Sequence, residues 1–318
     1  MTDLGIAIVG RGVMGTAHAQ ALAALGRAEQ IRYVVARTLG ATLEAAPRAT
    51  VVDDLEIVLS DPDVHVVSIC TPSGSHRELA VRALAAGKHV LLEKPIALTL
   101  EDSRAICDAA ESSGTIFMVA HVVRFFEGYR LLARDIAAGK IGAPLSAQAV
   151  RAGSRPEWSD WLRNYSQAGG ILVDFGIHDI DQLNLLLGDP VEVTATGPVP
   201  FGPIETTIRY RSGAVGVVRS FADLPTDEPF HSSIEVRGTA GVARYDFAAG
   251  SAEALENTEA AEDPYARQWQ YFLDCVAQGV APEWCPPAAA VAALEVALAA
   301  TKSLELGIPV RVKPAASV

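Results

Sequence analysis

Short apolar runs alternate with helical periodicities through the first part of the chain. The run at 6–9 is followed by apolar residues at helical spacing that end before Gly26. The alternation continues, with strands predicted at 31–36, 64–70, 89–92 and 116–120 and helices at 75–86 and 100–112. Strands that alternate with helices are typical of a doubly wound parallel sheet with helices on both faces.

After Gly142 the rhythm changes, because strand-like segments follow one another directly. A helix is predicted at 127–138, strands at 145–151, 191–196, 204–210, 215–221, 232–237 and 242–247, and late helices at 264–277 and 287–306. This order predicts an α+β region with a largely antiparallel sheet. We therefore expect two domains, residues 1–120 and 121–318, with the second serving substrate binding and oligomerisation.

One face of the second sheet is predicted to carry apolar side chains that favour burial. Val215, Val217 and Phe221 alternate along one strand, so their side chains share a face that helices cover only in part. This pattern predicts a homodimer or homotetramer formed through the C-terminal sheet.

A glycine motif stands where the first strand meets the first helix. The segment Gly10-Arg11-Gly12-Val13-Met14-Gly15 has the GxGxxG spacing, and a second strand follows its helix. In such a βαβ unit the glycines let a dinucleotide pyrophosphate approach a helix N-terminus. The motif predicts a Rossmann domain at residues 1–120, with cofactor contacts from Gly10, Gly12, Val13, Met14 and Gly15.

The end of the second strand bears on the choice of cofactor. An NAD enzyme usually carries an acid there for the ribose hydroxyl, whereas an arginine accommodates a 2′-phosphate. Here Ala36 occupies the acid position, Arg37 and Thr38 follow, and no acid comes before Glu44. We predict NADP, with NAD as the alternative if Arg37 only lines the adenine face.

Two further loops are expected at the same sheet edge. Thr71, Pro72, Ser73 and His76 follow the strand at 64–70, and Glu93 and Lys94 follow the strand at 89–92. Because parallel strands end at one edge, where doubly wound sheets bind ligands, these residues are cofactor-binding candidates. An ordinary helix cap with a turn proline, and a surface lysine, are the alternatives at these positions.

An acid and an imidazole lie four residues apart in the segment 169–181. Asp174 and His178 are predicted to share one face of a helix that ends at Gly188, and this face, with Asp181, is too polar for a core stripe. Such a pair suits proton transfer with a substrate hydroxyl. A solvated surface pair is the alternative.

Composition narrows the function classes. The net charge of −12 argues against a nucleic acid or an anionic membrane as partner. We expect no membrane span and no export signal. The four cysteines are scattered without metal-like spacing, so we expect no metal site and a cytoplasmic location.

Aromatic and basic residues supply further substrate-binding candidates. The polar segment 155–165 carries Trp158 and Trp161, whose rings suit a sugar or polyol. Closure of a domain junction or an oligomer interface by these indoles is the alternative. His121 and Arg124 follow the strand at 116–120 and are also predicted to face substrate.

Together, the segments GRGVMGTAH, TPSGSH, EKP, HVVRF and GGILVDFGIHDID resemble the Gfo/Idh/MocA oxidoreductases, of the glucose–fructose oxidoreductase and inositol dehydrogenase type. The resemblance runs nearly end to end. It implies that Lys94, Asp174 and His178 form the catalytic set and also contact substrate. It further implies a sharp turn at Lys94-Pro95, for which we expect a cis bond.

The implied function is NAD(P)-dependent hydride transfer between the nicotinamide and a carbinol carbon of a sugar, inositol or related polyhydroxylated compound. Two alternatives stay open at this point. One is a redox-neutral sugar-processing reaction with tightly held NAD, and the other is a non-catalytic dinucleotide-responsive regulator. The intact trio of Lys94, Asp174 and His178 argues against the regulator.

Overall fold

A computed structural model describes residues 4–40, 42–154, 168–199, 202–248 and 263–312. The chain divides into a first unit, Met1–Phe125 with Glu262–Pro287, and a second unit, Phe126–Ala261 with Ala288–Val318. This division differs from the predicted domains, 1–120 and 121–318, chiefly at residues 262–287. The physical reason is that the helix in this segment buries Trp269 and Phe272 in the hydrophobic core of the first unit.

The first unit contains a six-stranded parallel sheet. Its strands are β1 (Gly5–Val9), β2 (Ile31–Val35), β3 (Thr50–Val52), β4 (Val64–Ile69), β5 (His89–Glu93) and β6 (Phe117–Ala120), in the order β3-β2-β1-β4-β5-β6. Every residue of β1 is buried, as expected for a strand covered on both faces. All six strands therefore end at the same edge of the sheet.

Helices flank this sheet along the chain. They are α1 (Val13–Ala24), α2 (Leu55–Ser60), α3 (His76–Ala85) and α4 (Leu100–Ser113), and α7 (Pro264–Gln278) comes from the late segment. Single-turn 3₁₀ helices lie at Ala28–Gln30, Ser73–Ser75 and Val122–Phe125. The strand β3 and the helix α2 are too short to show a hydrophobic period, and the sequence did not predict them.

The second unit is built on a seven-stranded, mostly antiparallel sheet. Its strands are β7 (Pro144–Ser154), β8 (Pro190–Thr196), β9 (Ile204–Tyr210), β10 (Val215–Leu224), β11 (His231–Gly238), β12 (Val242–Ala248) and β13 (Val310–Arg311). The order is β12-β11-β7-β10-β9-β8-β13, and among the strand pairs that the structure describes only β7 with β10 is parallel. The predicted fold class, a parallel doubly wound sheet plus an α+β region, is confirmed.

The two faces of this second sheet differ. Val218 on β10 and Ile208 on β9 are fully buried on the face that carries the helices α5 (Glu127–Ala137), α6 (Ile177–Leu187) and α8 (Pro287–Leu306). Val215, Val217 and Phe221 alternate with the buried positions of β10 and are only partly covered. The predicted alternation along this strand is present.

A buried ion pair ties α6 to this sheet. The guanidinium of Arg151 on β7 donates to both carboxylate oxygens of Asp179 on α6, at 2.8 and 3.0 Å. The rings of Phe175 and Phe230 lie 5.9 and 5.6 Å from the guanidinium carbon. Loss of one partner of such a buried pair typically costs about 3–5 kcal/mol. The pair therefore fixes the start of α6 on the sheet.

None of the helices in the described ranges is both long and apolar enough to cross a bilayer. Within the same ranges, no group of three or more His, Cys, Asp or Glu side chains is placed to hold a metal ion.

Candidate active site

The glycine turn between β1 and α1 has three glycines with different surroundings. Gly10 has a φ of +109°, and a Cβ there would lie 2.5 Å from the carbonyl oxygen of Cys70. A Cβ at Gly15 would lie 2.0 Å from the carbonyl oxygen of Gly10. A Cβ at Gly12 would meet no atom within 4 Å. The first and third glycines allow close packing, and the second leaves space above the helix.

The N-terminus of α1 opens onto that space. Gly12 is its N-cap residue and has no side chain to accept from the first backbone N–H groups. The first turn carries no acid either. An uncapped helix N-terminus with its partial positive charge fits the pyrophosphate of a dinucleotide. Gly10, Gly12, Val13, Met14 and Gly15 form this turn and the start of α1, and their contacts with a cofactor stay a prediction.

The end of β2 adjoins the glycine turn, because the Gly10 N–H donates to the Val35 carbonyl at 2.9 Å. Arg37 and Thr38 follow β2 and are exposed. An Arg11 guanidinium nitrogen lies 3.5 Å from the position that a Cβ on Gly40 would take. Two arginines therefore flank this strand end. Arg11 was not among the predicted contacts, although its place inside the glycine motif was a usable signal.

The structure also places an acid near Ala36 that sequence spacing missed. The Ala36 N–H donates to the carbonyl of Val52 at the end of β3, at 2.9 Å. Asp53 follows Val52 and is exposed, and Asp54 accepts from the Glu56 N–H to cap α2. Asp53 is distant in sequence from β2, so only the pairing of β2 with β3 reveals its position.

The loop after β4 is held together by its own side chains. The hydroxyls of Thr71 and Ser75 lie 2.8 Å apart, and the Ser75 hydroxyl donates to the Pro72 carbonyl. Ser73 is buried, 4% exposed. The loop ends at the same sheet edge as the glycine turn, with the Thr71 and Pro72 backbone at this edge.

His76 has a different environment from the predicted one. Its imidazole is fully buried, with Nδ1 2.8 Å from the Pro95 carbonyl oxygen and Nε2 3.0 Å from the Thr71 carbonyl oxygen. Burial lowers the pKa of His76, so the ring is neutral near pH 7 and donates from one nitrogen at a time. We predicted a cofactor contact, but both ring nitrogens face backbone carbonyls, and the ring links two loops.

Lys94 follows directly after β5, at this same edge. The Lys94-Pro95 bond is cis, as expected. Glu93 is 5% exposed and accepts from the Lys94 N–H at 3.1 Å, whereas the Lys94 side chain is partly exposed. The lysine is therefore presented at the strand end on a backbone that Glu93 holds.

Asp174 and His178 lie in the second unit on two kinds of helix. The segment Leu172–Gly176 is one turn of π-helix, which contains Asp174, and α6 begins at Ile177 with His178 in its first turn. The prediction of one regular helix face is corrected here, because a π turn rotates its residues differently from an α turn. A Cβ at Gly176 would lie 3.0 Å from the Ser220 hydroxyl, so this glycine lets the segment approach β10.

The polar side of this segment is also more buried than expected. Asp174 and His178 are partly exposed, but Asp181 is only 1% exposed. Asp181 therefore belongs to the interior of the second unit, contrary to our prediction that the polar face stays outside the core.

The two basic candidates after β6 are buried in the first unit. His121 and Arg124 are each 3% exposed. An Arg124 guanidinium nitrogen donates to the Trp284 carbonyl at 2.6 Å, and the Trp284 indole donates to the Arg124 carbonyl at 3.3 Å. Arg124 thus joins the end of β6 to the late segment of the same unit. Trp158 and Trp161 lie outside the described residues.

Two family models match the chain. The model described as "Oxidoreductase family, NAD-binding Rossmann fold" matches residues 4–121, and the model of the GFO/IDH/MocA C-terminal domain matches residues 129–244. Together these matches cover well over half of the chain.

Individual relatives agree with the family models. The chain is 30% identical to a scyllo-inositol 2-dehydrogenase (NAD(+)) of Bacillus subtilis over 309 residues, which covers 90% of this chain and 85% of that protein. It is 35% identical over 200 residues to a 1,5-anhydro-D-fructose reductase of Ensifer adhaerens, covering 60% of this chain and 59% of the reductase. A levoglucosan dehydrogenase structure with NADH and L-sorbose matches with a TM-score of 0.85 and 26% identity, over 98% of this chain and 100% of that one.

We expect an added methyl group to affect cofactor binding at Gly12 and protein stability at Gly15. Gly12→Ala meets open space, so we expect unchanged thermal stability but at least about tenfold weaker dinucleotide binding, because the methyl takes the place of the pyrophosphate. Gly15→Ala meets the Gly10 carbonyl and should lower the melting temperature. Thermal unfolding and fluorescence titration with NADH and NADPH check both. Full binding by a stable Gly12→Ala variant would contradict this assignment.

Proposed function

This chain belongs to the Gfo/Idh/MocA oxidoreductase family, and from this premise we propose that it is an NAD(P)-dependent dehydrogenase or reductase of a sugar, inositol or related polyhydroxylated compound. The observation that carries the proposal is the glycine turn, shaped for a dinucleotide, at the same strand edge as Lys94. The names of the inositol dehydrogenase and the anhydrofructose reductase, and the L-sorbose complex, support the substrate class.

We assign three roles in the oxidation direction. His178 takes the proton from a substrate hydroxyl while the hydride leaves the same carbon, so the carbinol becomes a carbonyl. The Lys94 ammonium stabilises the negative charge that develops on the oxygen. Asp174 orients either the hydroxyl or the imidazole. A nicotinamide cofactor bound at the glycine turn would supply the hydride acceptor in this direction and the hydride donor in the reverse direction.

Replacement of Lys94 or His178 tests this mechanism. Lys94→Ala and His178→Ala should each lower kcat by about two or more orders of magnitude and leave cofactor affinity nearly unchanged, since each loses only a charge or a proton acceptor. The assay follows nicotinamide absorbance over a panel of sugars and inositols. The controls are Lys140→Ala, which removes an exposed lysine, and His65→Ala, at the opposite end of β4.

Wild-type rates in either active-site variant would contradict the proposed roles. Net substrate conversion without change in the nicotinamide absorbance would instead identify a redox-neutral reaction.

We propose NADP as the preferred cofactor. The support is electrostatic, because Arg37 and Thr38 are exposed after β2 and the Arg11 guanidinium lies against the same segment. Guanidinium groups pair well with phosphate. Asp53, beside the end of β2, is the acid that an NAD-preferring enzyme would use for the ribose hydroxyl.

Binding titrations without substrate separate the two cofactors. Arg37→Ala should weaken NADP binding by about 1.5–3 kcal/mol, the scale of a charged hydrogen bond, and change NAD binding little. Ala36→Asp should shift the preference towards NAD by repelling the phosphate. Arg32→Ala, which removes an exposed arginine at the start of β2, is the control. Equal weakening of both cofactors by Arg37→Ala would place Arg37 at the adenine face, and a loss of NAD affinity in Asp53→Asn would favour NAD.

We also propose that two or four copies assemble through the open face of the second sheet. Val215, Val217 and Phe221 form an apolar strip there. Arg219 interrupts this strip between Val217 and Phe221, and its guanidinium pairs across the strands with Glu205 at 2.8 Å. Such a face is a poor surface to leave in water and a suitable one for a second copy.

Light scattering at micromolar concentration tests the assembly. We expect the mass of a dimer or tetramer, from an interface well over about 1,000 Å². Val217→Asp should yield monomers, because it places a charge in the apolar strip. Val280→Asp, at an exposed valine of the first unit, is the control and should not change the mass. A monomeric wild-type protein would refute the proposal.

We also propose that the protein is located in the cytoplasm. It is supported by Cys70, Cys107 and Cys275, which are free thiols. Free thiols persist where glutathione keeps them reduced. Fractionation of cells that produce the protein tests it.

A further inference from the structure

Three polar side chains from three different elements meet beneath Lys94. His18 of α1 is fully buried, with Nδ1 2.8 Å from the Ser68 hydroxyl of β4 and Nε2 3.0 Å from Glu93 Oε1 of β5. Ser68 is fully buried, and Glu93 is 5% exposed. The mechanism proposed above uses none of these side chains.

The titratable side chains around His18 are Cys70, Glu93 and Tyr265. On α7 the neutral rings of Tyr265 and Trp269 lie 6.3 and 5.7 Å from its imidazole, between ring centroids. On β4, the Ser68 hydroxyl lies 3.4 Å from the thiol that follows the strand, that of Cys70. Glu93 is thus the carboxylate that His18 contacts. Around Glu93 itself, Lys94 and His76 are the other titratable neighbours.

Both members of the pair are charged near neutral pH. Burial lowers the pKa of His18, but Cys70 and Glu93 outweigh it and raise that pKa to about 10. Burial raises the pKa of Glu93, but the His18 hydrogen bond and charge outweigh it, so that pKa is lowered. A buried imidazolium therefore faces a buried carboxylate across the neutral range.

Each oxygen of the Glu93 carboxylate has its own partner. Oε1 contacts His18, and Oε2 accepts from the backbone N–H of Lys94 at 3.1 Å. On the next residue, the Pro95 carbonyl lies against His76. The backbone that presents Lys94 is therefore held from two sides by buried side chains.

We propose that His18 is a positioning residue for Lys94: it orients the Glu93 carboxylate against the Lys94 N–H and so fixes where β5 delivers the lysine side chain. This inference rests on the catalytic role proposed for Lys94. His18 lies one turn beyond Gly15 on α1. Through His18, the helix that begins at the glycine turn therefore also contributes to the position of Lys94.

A purely structural role has a different energetic signature. A residue that only fills space in the core can be replaced by an uncharged group. Replacement of a buried ion pair by apolar or neutral groups often leaves the stability unchanged or increases it. Loss of only the cation, by contrast, leaves a buried carboxylate whose pKa rises. The raised pKa then shifts the pH dependence of any reaction that requires the ionised carboxylate.

The experiment compares His18→Gln, Glu93→Gln and the double variant. At pH 7 we expect His18→Gln to lower kcat about ten- to a hundredfold, the cost of a misplaced catalytic group, with cofactor affinity within about twofold of wild type. The acid limb of its kcat profile should move to higher pH, because Glu93 then titrates without its cation. The double variant has no buried charge to titrate, so it should lose this shift and recover part of kcat.

Hydrogen exchange supplies a readout that does not depend on activity. The peptide that contains the Lys94 amide should exchange faster in His18→Gln and Glu93→Gln. The control is Phe272→Leu, which loosens the same hydrophobic core without touching the pair and should leave the pH profile and this exchange unchanged. If His18→Gln does not fold, Ser68→Ala, which removes one contact of His18, should give smaller shifts in the same directions.

The outcomes separate the two proposals. If Lys94→Ala loses turnover while His18→Gln keeps the wild-type kcat, pH profile and exchange, His18 does not position the lysine. If Phe272→Leu changes kcat, the pH profile and the exchange as His18→Gln does, the effect is a loss of stability and the proposal is overturned. If Lys94→Ala keeps the wild-type kcat, the proposed function fails, whatever the exchange shows.

Discussion

The close approach of α1 to β1 at the glycine turn is the constraint on which the candidate site of the first unit depends. A side chain at Gly15 would overlap the carbonyl of Gly10, so only glycine lets the helix start this near the strand end. The approach sets the helix N-terminus above the edge of the sheet, where a pyrophosphate is stabilised. It also brings His18, on the same helix, within reach of Ser68 and Glu93 on two other strands.

In the second unit a comparable approach is made by a different device. The π turn and Gly176 let the segment that carries Asp174 lie close to Ser220 on β10. π turns of this kind occur often at functional sites, because they aim side chains that a regular helix would direct elsewhere. Here the turn separates the acid and the imidazole into two helical geometries.

Buried charge is found directly beside the proposed catalytic residues of both units. Glu93 with His18 precedes Lys94, and Asp179 with Arg151 follows His178. Such pairs contribute little net stability, since desolvation offsets much of their attraction, but their geometry is well defined. Displacement of a catalytic group lowers the reaction rate steeply. A buried ion pair of defined geometry next to Lys94, and another next to His178, therefore suits the roles proposed for these two residues.

The sequence by itself determined the parts of this protein that depend on local pattern. Hydrophobic period and glycine spacing predicted both sheets and the dinucleotide turn, because each of these depends on a few consecutive residues. Tertiary structure decided what depends on distant partners. The segment at 262–287 joins the first unit through buried Trp269, Asp53 comes beside Ala36 through the pairing of β2 with β3, and Arg124 contacts Trp284. Contacts between residues far apart in the chain leave no periodic signal, so the partners of His18, His76 and Arg124 are visible only in the fold.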